Sequence, residues 1–206
     1  MLLSLFFAVG CKKEKDITDE TPEQTEWVTI RGVKWAKCNV AAPGIFAAKP
    51  EDAGMFYQWN VKTGWSCSDP MINHEDSTAW DNSIPEGDSW EKENDPCPAG
   101  WRVPTWDELQ RLVAAGSEWT TLNGVAGRYF GSGANTVFLP VTGLRNRTDG
   151  ALYYVDSDGY YWSSTPGPGN ENAYGMRFYD GNARTYPDWR TYGFSIRCVV
   201  ELNHLI

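Results

Sequence analysis

Histidine is nearly absent from this chain, which has only His74 and His204 in 206 residues. A triad that depends on histidine would rest on His74 alone, because His204 lies in a terminal segment expected to fray. The chain also lacks a G-x-S-x-G nucleophile elbow, an H-E-x-x-H zinc motif, a P-loop and a G-x-G-x-x-G turn. These absences argue against an enzyme of the common hydrolase, metalloprotease or nucleotide-binding classes. We therefore expect no catalytic residues and no cofactor.

Positive charge is also scarce, since 18 Lys and Arg are outnumbered by 27 Asp and Glu and the net charge is −9. An acidic surface repels phosphate backbones, so nucleic acid is not an expected partner. Aromatic residues are abundant, with 11 Trp, 10 Tyr and 8 Phe. Such side chains serve both protein cores and ligand-binding surfaces. Trp35, Trp101 and Trp162 lie in strand or motif contexts and are predicted to be core residues.

The start of the chain predicts an export signal. Residues 1–10 form an apolar run that is too short for a bilayer, which needs about 20 residues. The sequence Ala8-Val9-Gly10-Cys11 resembles a bacterial lipobox, in which the cysteine becomes the lipidated N-terminus. Lys12, in place of Asp, resembles the pattern that directs lipoproteins to the outer membrane. We expect lipid anchoring through Cys11, on the periplasmic or cell-surface face, as the only membrane contact; the alternative is an intracellular chain with an apolar tip.

Composition divides the chain into four parts. Residues 1–11 are the predicted signal peptide and lipobox, and the charged segment 12–26 has too few apolar residues to fold, which predicts a flexible tether. Residues 27–201 are predicted to form one domain, followed by a tail at 202–206. Within the domain, residues 62–98 are rich in Gly, Pro, Asp, Asn and Ser, which indicates a long irregular loop.

The pattern of apolar residues predicts one helix and several strands. The helix covers residues 104–115, where Thr105 and Glu108 form a capping box and Gly116 ends the helix. Turn signals at Arg31-Gly32 and Asp180-Gly181 predict hairpins. Strands are predicted at 136–139, 160–163, 173–179 and 194–200. The expected fold class is therefore α+β, with a mostly antiparallel sheet and long loops.

The five cysteines predict disulfide bonds. If Cys11 is lipidated, Cys38, Cys67, Cys97 and Cys198 remain, and an even number in an exported protein favours pairing. Three connectivities are possible, and buried free thiols are the alternative. No pair has the close spacing of a zinc ligand set, so no metal site is expected.

Loop aromatics and carboxylates supply the candidate ligand-binding residues. Asp156-Ser157-Asp158-Gly159 resembles the start of a calcium loop, but the glycine comes too early and the twelfth position is Gly167, so a tight turn is predicted. Tyr186 and Trp189 occur in a turn-rich segment before the last strand. We predict that Asp156, Asp158, Tyr186 and Trp189 form the rim of a ligand site.

Five motifs, in order, resemble the Fibrobacter succinogenes major paralogous domain family. They are GVKWAKCNV (32–40), DPCPAGWRVPT (95–105), FLP (138–140) with Gly143 and Arg145, GYYWSST (159–165) and GFSIRCV (193–199). The resemblance covers residues 27–201 and implies exported lipoproteins of Bacteroidetes-type bacteria with a C-type-lectin-like fold, in which a small antiparallel sheet is combined with one main helix and long loops. Cys97 and Cys198 lie in matched motifs, which implies a bond between them and leaves Cys38 and Cys67 as the second pair.

The expected function is recognition or adhesion, with a glycan or a protein as the ligand. Aromatic rings stack on sugar rings, and carboxylates accept hydrogen bonds from sugar hydroxyls. The sequence lacks the Glu-Pro-Asn and Gln-Pro-Asp tripeptides of calcium-dependent lectins, so the resemblance does not imply calcium-dependent sugar binding. Two alternatives are a structural or assembly component of the cell envelope and a hydrolase that uses a pair of carboxylates.

Overall fold

The computed structural model describes residues 27–202 of the chain. The predicted signal peptide with Cys11, the tether at 12–26 and residues 203–206 of the predicted tail lie outside the described residues. No helix within 27–202 is long and apolar enough to cross a bilayer.

The described residues form sixteen strands, one α-helix and one short 3₁₀ helix, Lys92–Asn94. The α-helix α1 is Trp106–Ala114. The strands are β1 (Trp27–Ile30), β2 (Val33–Ala36), β3 (Val40–Ala42), β4 (Ile45–Phe46), β5 (Phe56–Tyr57), β6 (Gly64–Trp65), β7 (Trp101–Arg102), β8 (Ser117–Leu122), β9 (Val125–Ser132), β10 (Asn135–Pro140), β11 (Leu144–Arg145), β12 (Leu152–Tyr153), β13 (Gly159–Pro166), β14 (Asn172–Tyr179), β15 (Asn182–Trp189) and β16 (Val199–Val200).

Three sheets make up most of the structure. The first has four strands in the order β1-β2-β16-β7, and the others have three strands each, in the orders β10-β9-β8 and β13-β14-β15. The ladders between these strands are antiparallel. Short two-stranded ladders join the remaining strands. Loops therefore emerge from many strand ends, and residues 66–98 contain only the 3₁₀ helix.

The expected α+β, C-type-lectin-like fold class is wrong. The structure is mostly β, with 42% strand and 7% helix, and its strands form several small antiparallel sheets. The main reason is the segment between α1 and the predicted strand at 136–139, which forms the long hairpin β8–β9 around Asn123-Gly124. The Asn-Gly pair supplies the positive φ angles that such a turn requires, at 49° and 89°.

The predicted helix is present with the predicted capping box and stop, and it spans Trp106–Ala114 rather than residues 104–115. The Thr105 hydroxyl accepts a hydrogen bond from the Glu108 amide, and the Glu108 carboxylate accepts one from the Thr105 amide at 2.7 Å. Leu109 and Leu112 are buried against the inner faces of β9, β13 and β14. Gly116 follows with φ at 84°, which stops the helix.

A second part of the core is built from aromatic residues. Phe194 stacks on Trp162 with the ring centroids 4.1 Å apart. The predictions that Trp35, Trp101 and Trp162 are core residues are confirmed, because all three are buried. Aromatic rings of this size remove large apolar areas from water, so short strands can share a stable core.

The predicted Cys97–Cys198 disulfide is present, with the Cα atoms 6.1 Å apart. It ties the segment before β7 to the start of β16. The second predicted pair is not formed, because Cys38 and Cys67 are free thiols. They lie in different surroundings: Cys38 is close to Arg197, whereas Cys67 lies near Arg145.

Two buried arginines hold the irregular segment 66–98 to the sheets. Arg145 is fully buried and donates hydrogen bonds to the carbonyl oxygens of Ser66 and Ser68 at 2.9 and 2.8 Å. Arg190 donates to the Gly87 carbonyl at 2.7 Å and stacks on the ring of Trp59, 4.1 Å from the centroid. Hydrogen bonds that involve a charged donor are stronger than neutral ones, so these contacts fix a segment that has no strands of its own.

A third buried arginine holds the loop after β2. Arg197 donates from Nε to the Asn39 side chain at 2.9 Å and from Nη1 to the carbonyl oxygens of Ala36 and Lys37. Burial lowers the pKa of Arg197, and the nearby Tyr161 and Cys38 act in the opposite direction. Arg197, in the motif at 193–199, thus fixes the conformation of the motif at 32–40.

Candidate functional site

The sheet β13–β14–β15 has one buried face and one partly exposed face. On the buried face, Met176 and Phe178 pack against α1 and β9. On the other face, Tyr160, Arg177 and Arg184 stand side by side across the three strands. Because side chains alternate along a strand, this row points away from the helix. It forms the centre of the candidate site.

Arg177 lies among aromatic rings. Its guanidinium carbon is 5.6, 5.5 and 5.7 Å from the ring centroids of Tyr154, Tyr160 and Tyr179. Its Nε donates to the Asp158 carboxylate at 2.8 Å, and Asp158 is itself buried. Cation–π contacts and a charged hydrogen bond together hold the guanidinium in one orientation.

A second carboxylate, Asp188, lies on the same face of β15 as Tyr186. Burial raises the pKa of Asp188, although the amide of Trp189, the Tyr186 hydroxyl and two nearby arginines counteract the shift. Burial and the Asp188 carboxylate also raise the pKa of Tyr186, so its hydroxyl stays protonated at neutral pH. The Arg184 guanidinium lies 5.7 Å from the Tyr186 ring centroid. The face therefore offers hydrogen-bond donors and acceptors between aromatic rings.

The edge of this surface is a second arginine–aromatic pair. The Arg147 guanidinium carbon lies 4.4 Å from the centroid of the Trp189 ring, and the Trp189 side chain is 38% exposed. Arg147 is also one of the charges that act on Asp188. We call the whole surface the arginine face and define it by nine residues: Arg147, Tyr154, Asp158, Tyr160, Arg177, Arg184, Tyr186, Asp188 and Trp189.

Comparison with known proteins identifies the family. The model of the Lcl C-terminal domain matches residues 29–200, which is almost the whole of the described structure. The chain belongs to this family. No curated protein and no solved structure matches the chain.

In this Lcl C-terminal domain, three of the four predicted rim residues come together. Asp158, Tyr186 and Trp189 belong to the arginine face, where Arg177 and Arg147 join them. Asp156 does not join the Arg177 cluster, because it lies in the exposed turn before β13 with φ at 60°. The turn interpretation of residues 156–159 is thus correct, and the Asp158 carboxylate pairs with the Arg177 guanidinium.

The sequence interpretation missed the arginines and Asp188. Arg177 alternates with Met176 and Phe178 in β14, so the period of two that placed those residues in the core also placed Arg177 on the opposite face. The hairpin signal at Asp180-Gly181 then brings Arg184 directly opposite Arg177. These two patterns together were sufficient to find the centre of the face.

The described part of this Lcl C-terminal domain contains no cluster of three or more His, Cys, Asp or Glu residues that could hold a metal ion. His74 is engaged in the loop, where its Nδ1 accepts a hydrogen bond from the Gly64 amide at 3.1 Å. The groups that the arginine face offers to a ligand are aromatic rings, guanidinium groups and carboxylates.

Proposed function

We propose that this protein is an outer-membrane lipoprotein whose Lcl C-terminal domain recognises a glycan or a protein, and that it is a binding protein rather than an enzyme. The arginine face is the observation that supports this proposal. It presents the exposed rings of Tyr154 and Trp189 and the half-buried ring of Tyr186 beside guanidinium groups and carboxylates. Clusters of aromatic residues and arginine are typical of the positions that contribute most to binding energy.

The lipobox-like sequence at Cys11 supports the anchored location. The segment at residues 12–26, predicted from its composition to be a tether, would join this anchor to the domain. The Fibrobacter-like motifs in residues 27–201 are consistent with an exported lipoprotein of this kind. The ligand itself would meet the arginine face, since this surface combines stacking area with both signs of charge.

The experiment is a binding screen of the full chain, purified in detergent, against a glycan array and against envelope proteins. We expect Arg184→Gln and Trp189→Ala to weaken the binding that the wild type shows by about tenfold each, as for contacts at the centre of an interface. Arg111→Gln is the matched control, because Arg111 is an exposed arginine that pairs with Asp107 on α1, outside the arginine face.

Two results would contradict the proposal. Wild-type binding that neither Arg184→Gln nor Trp189→Ala changes would show that the arginine face is not the ligand site. Turnover of a labelled polysaccharide that Asp188→Asn abolishes would instead favour the alternative hydrolase, because Asp188 is the carboxylate on this face with the raised pKa.

A further inference from the structure

A second candidate site is a cleft beneath the irregular segment 66–98. It has a volume of about 220 Å³, smaller than the roughly 300–1,000 Å³ of pockets for drug-sized ligands. Its apolar lining comes from Val61, Ala79 and Pro85, with Trp65 also in the wall. The cleft shares no residue with the arginine face. Its size is suited to one side chain rather than to a large ligand.

Gln58 presents a hydrogen-bond acceptor in this cleft. The side chain is only 3% exposed, and its Nε2 donates to the carbonyl oxygens of Asp81 at 2.6 Å and Thr191 at 3.2 Å. These two bonds fix the amide plane. Within residues 27–202 the hydrogen bonds of the Gln58 side chain are made by Nε2, so Oε1 stays open to solvent where Gln58 lines the cleft. An acceptor that the fold holds in place at the wall of an open cleft favours a ligand that donates hydrogen bonds.

Asp81 adds a charged acceptor to the same cleft. Its Oδ1 accepts a hydrogen bond from the Ser83 amide at 2.9 Å. Hydrogen bonds from the Ser83 side chain and backbone hold the pKa of the Asp81 carboxyl below its usual value, so it is ionised at neutral pH. The hydrogen bond from the Gln58 side chain to the Asp81 carbonyl oxygen fixes the position of Asp81 in the loop. The two side chains therefore offer one neutral and one anionic oxygen.

The surrounding segment is strongly acidic. Residues 66–98 contain nine Asp and Glu and a single lysine, Lys92. Such a concentration of one sign of charge raises the local concentration of cations and repels anions. It does not by itself define a site, but it decides the sign of the ligand that the cleft would attract.

We infer that the cleft binds the side chain of a lysine from a basic segment of a partner protein. An ammonium group carries three donors and no acceptor, which matches the oxygens of Gln58 and Asp81. The aliphatic part of a lysine would lie along Val61, Ala79 and Pro85, as lysine stems do on apolar surfaces. An amino sugar fits less well, because its hydroxyl groups would face those apolar side chains without hydrogen-bond partners.

The test is a titration of the full chain with the tripeptide acetyl-Gly-Lys-Gly-amide, followed by NMR at the indole N–H groups. The Trp65 indole is a local reporter, since it lines the cleft and its Nε1 is buried without a hydrogen-bond partner among residues 27–202. We expect a saturable shift of the Trp65 signal with the lysine peptide. The same peptide with norleucine keeps the aliphatic stem but has no ammonium, and should bind at least about tenfold more weakly.

Asp81→Asn removes the charge and keeps an oxygen for the Ser83 amide, so the turn should persist and the unfolding midpoint should not change. It should weaken lysine binding by about fivefold, the upper end for an exposed ion pair. Asp76→Asn is the matched control, because Asp76 is an exposed carboxylate of the same segment that does not line the cleft.

Three results would overturn the inference. Equal binding of the norleucine peptide would show that the ammonium is not recognised. An effect of Asp76→Asn as large as that of Asp81→Asn would assign the binding to the diffuse charge of the segment. A shift of the Trp65 signal by glucosamine but not by the lysine peptide would make the cleft a sugar site. None of these results bears on the arginine face, whose variants are tested separately.

Discussion

Removing the Cys97–Cys198 disulfide should cost more stability than any single contact on the surface of this domain. The informative change is Cys97→Ser, because Cys97 is half-buried and a serine can be hydrated there. Cys198 is fully buried and would remain as a thiol, which packs like a small apolar residue. The variant therefore tests the crosslink itself more directly than Cys198→Ser, which would also place a hydroxyl in the core.

The expected magnitude follows from the length of chain that the bond closes. Cys97 and Cys198 are 101 residues apart. In the chain-entropy account, a crosslink over a loop of this size stabilises the folded state by about 4.7 kcal/mol through the unfolded state. Typical domains have a net stability of about 5–15 kcal/mol, so the loss would be a large part of the total. We expect Cys97→Ser to lower the free energy of unfolding by about 3–5 kcal/mol.

The assay is urea unfolding of wild type and variant, with and without reductant. Reductant should bring the wild type down to the stability of Cys97→Ser and should leave the variant unchanged. Cys67→Ser is the control, because Cys67 is a free thiol and its removal should not alter the response to reductant. A loss of less than about 1 kcal/mol, or a Cys97 peptide that maps as a free thiol under non-reducing conditions, would refute the reasoning.

Three further predictions concern other parts of the chain. Thr105→Ala should lower the stability by about 1 kcal/mol through loss of the helix cap, and an unchanged urea midpoint would contradict it. Asp188→Asn should stabilise the domain at neutral pH, because folding raises the pKa of this carboxyl. Its ionisation therefore destabilises the folded state as the pH rises from 3.8, the ordinary pKa of an aspartate, through the pKa in the folded domain. The difference in urea midpoint between this variant and wild type should disappear below about pH 3.8, and a destabilised variant at pH 7 would oppose the assignment. Cys11→Ala should release the protein from the membrane fraction or leave an uncleaved precursor, whereas wild-type fractionation and migration would remove the proposed anchor.

Local signals in the sequence were sufficient for several elements. The helix was predictable because Thr105 and Glu108 satisfy each other's backbone groups without help from distant residues. The hairpin β14–β15 was predictable for the same reason, since Asp180-Gly181 forms its turn between Tyr179 and Asn182. The hairpin β8–β9 carried an equally local Asn-Gly signal that the sequence interpretation did not use, and this omission led to the wrong fold class.

The pairing of Arg177 with Asp158 in the candidate site depended on a contact that no local pattern contains. Asp158 and Arg177 lie 19 residues apart and meet only because β13 and β14 pair in one register. The same holds for the free thiol of Cys38, whose surroundings include Arg197 from the other end of the domain. A disulfide between Cys38 and Cys67 was a reasonable prediction from the even number of cysteines, but that number contains no information on the distance between the two thiols.

The buried arginines have a consequence for how this domain can change. Arg145 and Arg190 bind their loops mainly through main-chain carbonyl groups, which every residue type possesses. The exposed side chains of residues 66–98 that make no such contacts can therefore be exchanged with little effect on the path of the loop, whereas Asn73, Asp95 and Cys97 hold the backbone through their own side chains. The buried arginines thus determine the path of the segment, and its exposed side chains determine the chemistry of the surface. An antibody framework holds its hypervariable loops in a similar way. Libraries randomised at the exposed positions of this segment should yield folded proteins with altered surfaces.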